Sequence, residues 1–171
     1  MRPSRYLAAL VIVLLVHSIA LRLAPSLVVY LDFFAILVVL NGLDGDSLGG
    51  LLGGLVAGLI QDSLTVGLFG LYGCANTLIG YAAAKVVQRL VIERAIGVLP
   101  LVAGAVLAQQ LIVLGLTAIL LPSPPFPAPL VLLLKAVACG ILGSLLYSLA
   151  GWWRGSSDRR RRRRMDRLQM G

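Results

Sequence analysis

The stretch SLGGLLGGLVAGLIQDSLTVGLFGLYGCANTLIGYAAA, from Ser47 to Ala84, decides how the chain folds. Gly49 and Gly53, Gly50 and Gly54, and Gly54 and Gly58 are each four residues apart, so one or two faces of a helix here are bare backbone. In lipid the hydrophobic effect gives helices no reason to associate, and small residues at this spacing let backbones approach closely instead. Two readings stay open: packing within the chain's own bundle, or a docking face for a partner helix. Gln61, Asp62 and Ser63 interrupt the apolar run. The spacing therefore predicts a short helix over 47–60, about 21 Å long at roughly 1.5 Å per residue, followed by a span over 64–84. The pair is either two spans or a re-entrant hairpin.

Outward from this stretch the chain continues in the same manner. Of its 171 residues 59% are hydrophobic and 13% charged, with a mean hydropathy of +0.96, well beyond the roughly half-apolar composition of soluble domains. A hydrocarbon core about 30 Å thick needs roughly 20 apolar residues per helix, and apolar runs of about this size recur. They predict spans at 6–21, 27–43, 47–60, 64–84, 97–121 and 130–153, an all-α integral membrane bundle over 1–154 whose third span is short and glycine-rich. Pro25 punctuates the first turn, and Gly42, Asp44, Gly45 and Asp46 mark the second, with carboxylates placed to cap a following helix. Between Pro122 and Pro129 five of eight residues are proline, which predicts a stiff extended connection. Met1 to Arg5 before an apolar run has the order of a signal peptide, but no small-residue cleavage site follows Leu21, so the reading is an uncleaved first helix.

The formal charge of +8 would suggest nucleic acid in a soluble protein. Here its placement points to topology and excludes that partner. With six spans, Arg2, Arg5, Lys85, Arg89, Arg94, Arg154, Arg159 to Arg164 and Arg167 share one side, 13 of the 15 Lys and Arg, and the positive-inside rule makes that side cytoplasmic. Both termini are then cytoplasmic. Residues 155–171 read as a disordered basic tail whose arginines, Arg159, Arg160 and Arg161 among them, are drawn to anionic lipid by about 1 kcal/mol per charge.

Ionisable groups within membrane segments are costly and call for partners. Asp32 and Lys135 fall at similar depth near the outer face, which predicts an ion pair between them; the alternative is that Lys135 snorkels to the interface. Arg22 and Asp62 lie near the same face. Cys74 and Cys139, inside apolar runs without C-x-x-C spacing, read as small packing residues. His17 is a lone histidine without carboxylates at ligand spacing, so no metal is expected. Gln109 and Gln110 read as interhelical hydrogen-bonding residues. With no Ser, His and Asp set, no phosphate loop and no paired intramembrane carboxylates, the expectation is a nonenzymatic protein without cofactors.

From Pro25 through Leu40, then G-G-L-V-A-G-L-I-Q-D at Gly53 to Asp62, Leu68 and Gly70, and I-G-Y at Ile79 to Tyr81 before Lys85, the chain resembles the rod shape-determining MreD family of bacteria. The resemblance implies a membrane scaffold of the cell-elongation machinery beside MreC, linked to the cytoskeletal protein MreB and to RodA with its penicillin-binding transpeptidase in peptidoglycan synthesis. It makes Asp62 the family-like aspartate at the break between helices. The loop after the second span is acidic, with Asp44 and Asp46, where the family pattern is often basic, so cytoskeletal contact moves to Lys85, Arg89 and Arg94 and to the arginine tail. The short, six-helix, glycine-rich plan is also similar to the substrate-binding subunits of energy-coupling-factor vitamin transporters, whose A-x-x-x-A face in the first helix is missing here.

Overall fold

FFAILVVLNG, residues 33–42, is apolar around almost its whole circumference, and such a helix has to be surrounded. In the computed structural model of the chain it is. The structure describes residues 3–65, 67–89, 95–121 and 128–169. Among these every regular element is a helix: α1 (Pro3–Leu23), α2 (Pro25–Tyr30), α3 (Phe33–Gly42), α4 (Ser47–Leu64), α5 (Leu71–Arg89), α6 (Ala95–Leu120) and α7 (Pro129–Gln169). Helix α3 is the central post, touching α1, α4, α5, α6 and α7. One side of it, Ala35, Ile36 and Val39, joins Val98, Val102 and Val106 of α6 with Ala136 and Cys139 of α7. The other, Phe34, Leu37 and Val38, packs with Tyr6 and Leu10 of α1 and Ala57 of α4.

The outer surface is greasy. Leu7, Val11, Ile12, Leu15 and Ile19 of α1 and Leu130, Leu133, Leu134 and Val137 of α7 are exposed, an arrangement that suits lipid. Among the described residues five helices, counting α2 with α3 as one, are long and apolar enough to cross a membrane. The chain runs up and down, so that the start of α1, the α3–α4 turn, the end of α5 and Gly151 of α7 share one end. There Gln88 donates to the Gly45 carbonyl at 2.7 Å and a cleft joins Asp44 to Tyr147 and Gly151.

Four boundaries differ from the sequence reading. The second span is not one helix over 27–43 but two, interrupted at Leu31 (φ −124°, ψ 121°) and Asp32 (φ −108°, ψ 89°). The third does not stop at Ile60. It continues through Gln61, Asp62 and Ser63 to Leu64, 18 residues or about 27 Å, because its polar residues find partners inside the bundle instead of ending the helix. The fourth starts at Leu71, not Leu64, since Gly70 turns the chain at φ +102°, a conformation glycine tolerates. The tail read as disordered from residue 155 continues α7 as helix to Gln169; arginine is a good helix former, and extending a helix costs less than starting one.

Candidate functional site

Irregular backbone at membrane depth survives only where protein satisfies its freed polar groups, and the break at Asp32 is built that way. The Asp32 side chain caps α3 by accepting from Ala35 N at 3.0 Å. Its own N–H donates to Cys139 Sγ at 3.2 Å, and the Cys139 thiol donates to the Tyr30 carbonyl at 3.8 Å. Cys139, expected only to fill space, thus stitches both sides of the interruption to α7. Cys74 is exposed, and both cysteines are free.

From the Asp32 carboxylate a chain of buried polar groups crosses the bundle. Lys135 Nζ of α7 stands 3.4 Å from Oδ2. Gln61 Nε2 of α4 donates to both carboxylate oxygens, at 3.2 and 3.1 Å. Asn76 Nδ2 of α5 donates to Gln61 Oε1 at 2.9 Å, and Gln109 Nε2 of α6 donates to Asn76 Oδ1 at 2.8 Å. Five elements are thereby tied at one level, each through a side chain that would be expensive to leave unpaired in this setting. The Asp32–Lys135 juxtaposition follows from their equal depth in the sequence. Gln61 reads in sequence as part of a helix terminus and Asn76 as an isolated amide in an apolar run, and nothing in their spacing announces that they are partners.

Asp62 sits in the last turn of α4, two residues before the helix ends at Leu64, and its side chain bridges the break. From the last turn of α4 it reaches the start of α5, accepting from Tyr72 N at 3.0 Å and Gly73 N at 2.8 Å. Gly70 precedes α5 and has no side chain to cap with, so Asp62 takes that role and sets a negative charge on the helix N-terminus, where the dipole favours it. Arg22 is exposed at the end of α1 and takes part in none of these contacts.

The glycine-rich faces divide into two. A Cβ at Gly50, Gly54 or Gly58 would collide with the backbone carbonyls of Gly80, Asn76 and Tyr72 respectively, so this row is filled by α5 of the same chain. Gly53 faces α1 and α3: a Cβ there would lie 2.8 Å from Asn41 Nδ2 and 3.2 Å from Tyr6 Oη, and Tyr6 Oη donates to its carbonyl at 2.6 Å. Gly49 meets only the Asp46 side chain, next to exposed Leu48, Leu52, Leu55 and Val56. Asn41 Nδ2 donates to the Gly49 carbonyl at 3.1 Å.

At the basic end, Lys85 Nζ sits 5.6 Å from the centre of the Tyr81 ring, and Lys85 and Arg89 are exposed. Arg159, Arg160 and Arg161 fall on the far extension of α7. Arg94 and most of the proline-rich stretch lie outside the described residues.

Among known proteins, a family model described as rod shape-determining protein MreD matches residues 4–149. No curated protein and no solved structure matches the chain. The matched region takes in all the spans, the polar chain that ties them and the glycine seam, and the chain belongs to the MreD family of bacterial membrane proteins, which serve rod shape determination and are not known as enzymes.

Proposed function

We propose that this protein is a nonenzymatic scaffold of the cell-elongation complex that binds MreC and helps connect the MreB cytoskeleton to peptidoglycan synthesis by RodA and its penicillin-binding transpeptidase. The observation that carries the reading is the family match over residues 4–149. The geometry supports it. A scaffold needs a stiff body with free outer faces, and here α3 to α7 are tied together by the polar chain and the glycine seam while the outer faces of α1 and α7 are exposed and apolar.

In this reading α5 also crosses the membrane and brings the number of spans to six, both termini face the cytoplasm of the inner membrane in keeping with the distribution of basic residues, and the plan is that of the energy-coupling-factor substrate-binding subunits. Because Gly50, Gly54 and Gly58 are occupied by α5, a partner helix meets α4 on its other side, at Gly49 and Leu52. Lys85, Arg89 and the arginine tail face the cytoplasmic partners and anionic lipid.

Affinity purification of the tagged protein in mild detergent from its native host tests the proposal. Recovery of MreC with RodA or the transpeptidase is expected, and Leu52→Trp should reduce MreC recovery without lowering the melting temperature. Recovery of an ATPase with a membrane coupling subunit would replace the scaffold with a vitamin-transport component.

A further inference from the structure

Two features near the end of the bundle opposite Lys85 and Arg89 are not used by the scaffold. One is an open cavity of about 440 Å³ beside Asp32 and Lys135. The other is His17 on its wall, 6% exposed, held edge-on to Phe33 and Phe34, with Nδ1 buried and without a hydrogen-bond partner. A buried polar nitrogen in this state has lost its water without gaining a protein partner, which costs stability unless something else reaches it.

The groups facing the cavity are unequal in what they offer. The Asp32 carboxylate is fully subscribed: Oδ1 accepts from Ala35 and Gln61, and Oδ2 from Gln61 and Lys135. Lys135 carries three N–H donors and no acceptor, and its ion pair with Asp32 engages one of them. His17 Nδ1 adds a second donor in the matching tautomer. The Tyr72 and Thr65 hydroxyls on the same wall can also accept, but the unpaired donors on Lys135 and His17 are the groups that call for an anionic oxygen. The cavity rim includes Leu21, Val29 and Leu64, all exposed to the lipid side, so the complementary molecule is amphiphilic. Lys135 follows the start of α7 at Pro129 by less than two turns, roughly 9 Å, a depth a headgroup reaches by sinking slightly below the interface. The volume falls in the range of small-ligand sites, about 300–1,000 Å³.

We infer that this cavity binds the phosphodiester headgroup of a membrane phospholipid, its anionic oxygens on Lys135 Nζ and His17 Nδ1 and its acyl chains over Leu21, Val29 and Leu64. The full-length protein, reconstituted in nanodiscs of phosphatidylglycerol and phosphatidylethanolamine and then moved to detergent, is assayed by native mass spectrometry for retained lipid. One phospholipid per chain should survive, with occupancy reduced roughly tenfold by His17→Leu, the size expected for one lost charge-assisted hydrogen bond, and by Val29→Trp, which obstructs the rim. Millimolar inorganic phosphate should not displace it. Equal retention in all three proteins, displacement by inorganic phosphate alone, or retention of a carboxylate amphiphile in place of a phospholipid would each overturn the assignment. Val29 is 52% exposed and outside the hydrogen-bonded chain, so that variant decides the matter even if His17→Leu fails to fold.

Discussion

Asp32 and Cys139 hold one another in place across the interrupted second span: the aspartate N–H donates to the thiol sulfur at 3.2 Å, and the thiol donates in turn to the Tyr30 carbonyl on the other side of the break. A cysteine is suited to this because it is small enough for a helix contact and can both accept and donate. Cys139→Ser should keep both bonds and melt within about 1 kcal/mol of the parent. Cys139→Val, similar in volume, leaves a buried N–H and carbonyl unpaired and should cost about 1–3 kcal/mol. Thermal unfolding in detergent separates the two, and equal losses would show that only volume matters at this position.

The ion pair between Asp32 and Lys135 can be tested by exchange. Asp32→Lys or Lys135→Asp alone leaves like charges buried together and should destabilise by about 3–5 kcal/mol. The double exchange should recover part of that loss, judged by folded yield and by restoration of rod shape in cells. Recovery will be incomplete, because Lys at position 32 cannot accept the bonds from Ala35 and Gln61. A double variant no better than either single one contradicts the pairing.

At Gly54 there is no room even for a methyl group, since the Asn76 carbonyl occupies the space and backbone cannot swing aside. Gly54→Ile should abolish the folded monomer, whereas Gly104→Ala, with open space around it, should be neutral or slightly stabilising through helix propensity. Size-exclusion profiles of the two variants give the comparison.

Removing the Asp62 carboxylate should loosen the start of α5. Asp62→Ala should cost about 1–2 kcal/mol as a lost cap, and Asp62→Asn distinctly less because its amide oxygen still accepts. Hydrogen exchange at Tyr72 and Gly73 should speed up in the alanine variant first; unchanged exchange there would deny Asp62 the capping role.

Much of the bundle is visible in the residues alone, because hydropathy and turn residues act locally. Pro25 and the Asn41–Ser47 cluster do mark the ends of helices, and the depths of Asp32 and Lys135 place them together. What escaped depends on which way a side chain points. LVVYLDFFAILVVL reads as one apolar run, and nothing in it says that Asp32 turns back to cap the next helix. Gln61, Asp62 and Ser63 look like a terminus in one dimension, yet two of the three point inward and the helix continues. The glycine spacing announces a close contact without naming the partner, and only the fold shows that α5 fills the row at Gly50, Gly54 and Gly58.

Helix α5 falls outside the set apolar enough to cross a membrane unaided, and it carries Asn76 and, at its start, the N–H groups that Asp62 satisfies. Its polar needs are met by α4, and the bare backbone of α4 is covered by α5. During synthesis α5 is not apolar enough to enter lipid by itself, and α4 alone would carry Gln61 and Asp62 without their partners, so the two are expected to leave the translocation machinery together as a preformed hairpin. The glycine seam is then a condition of getting the protein into the bilayer as well as of keeping it folded there.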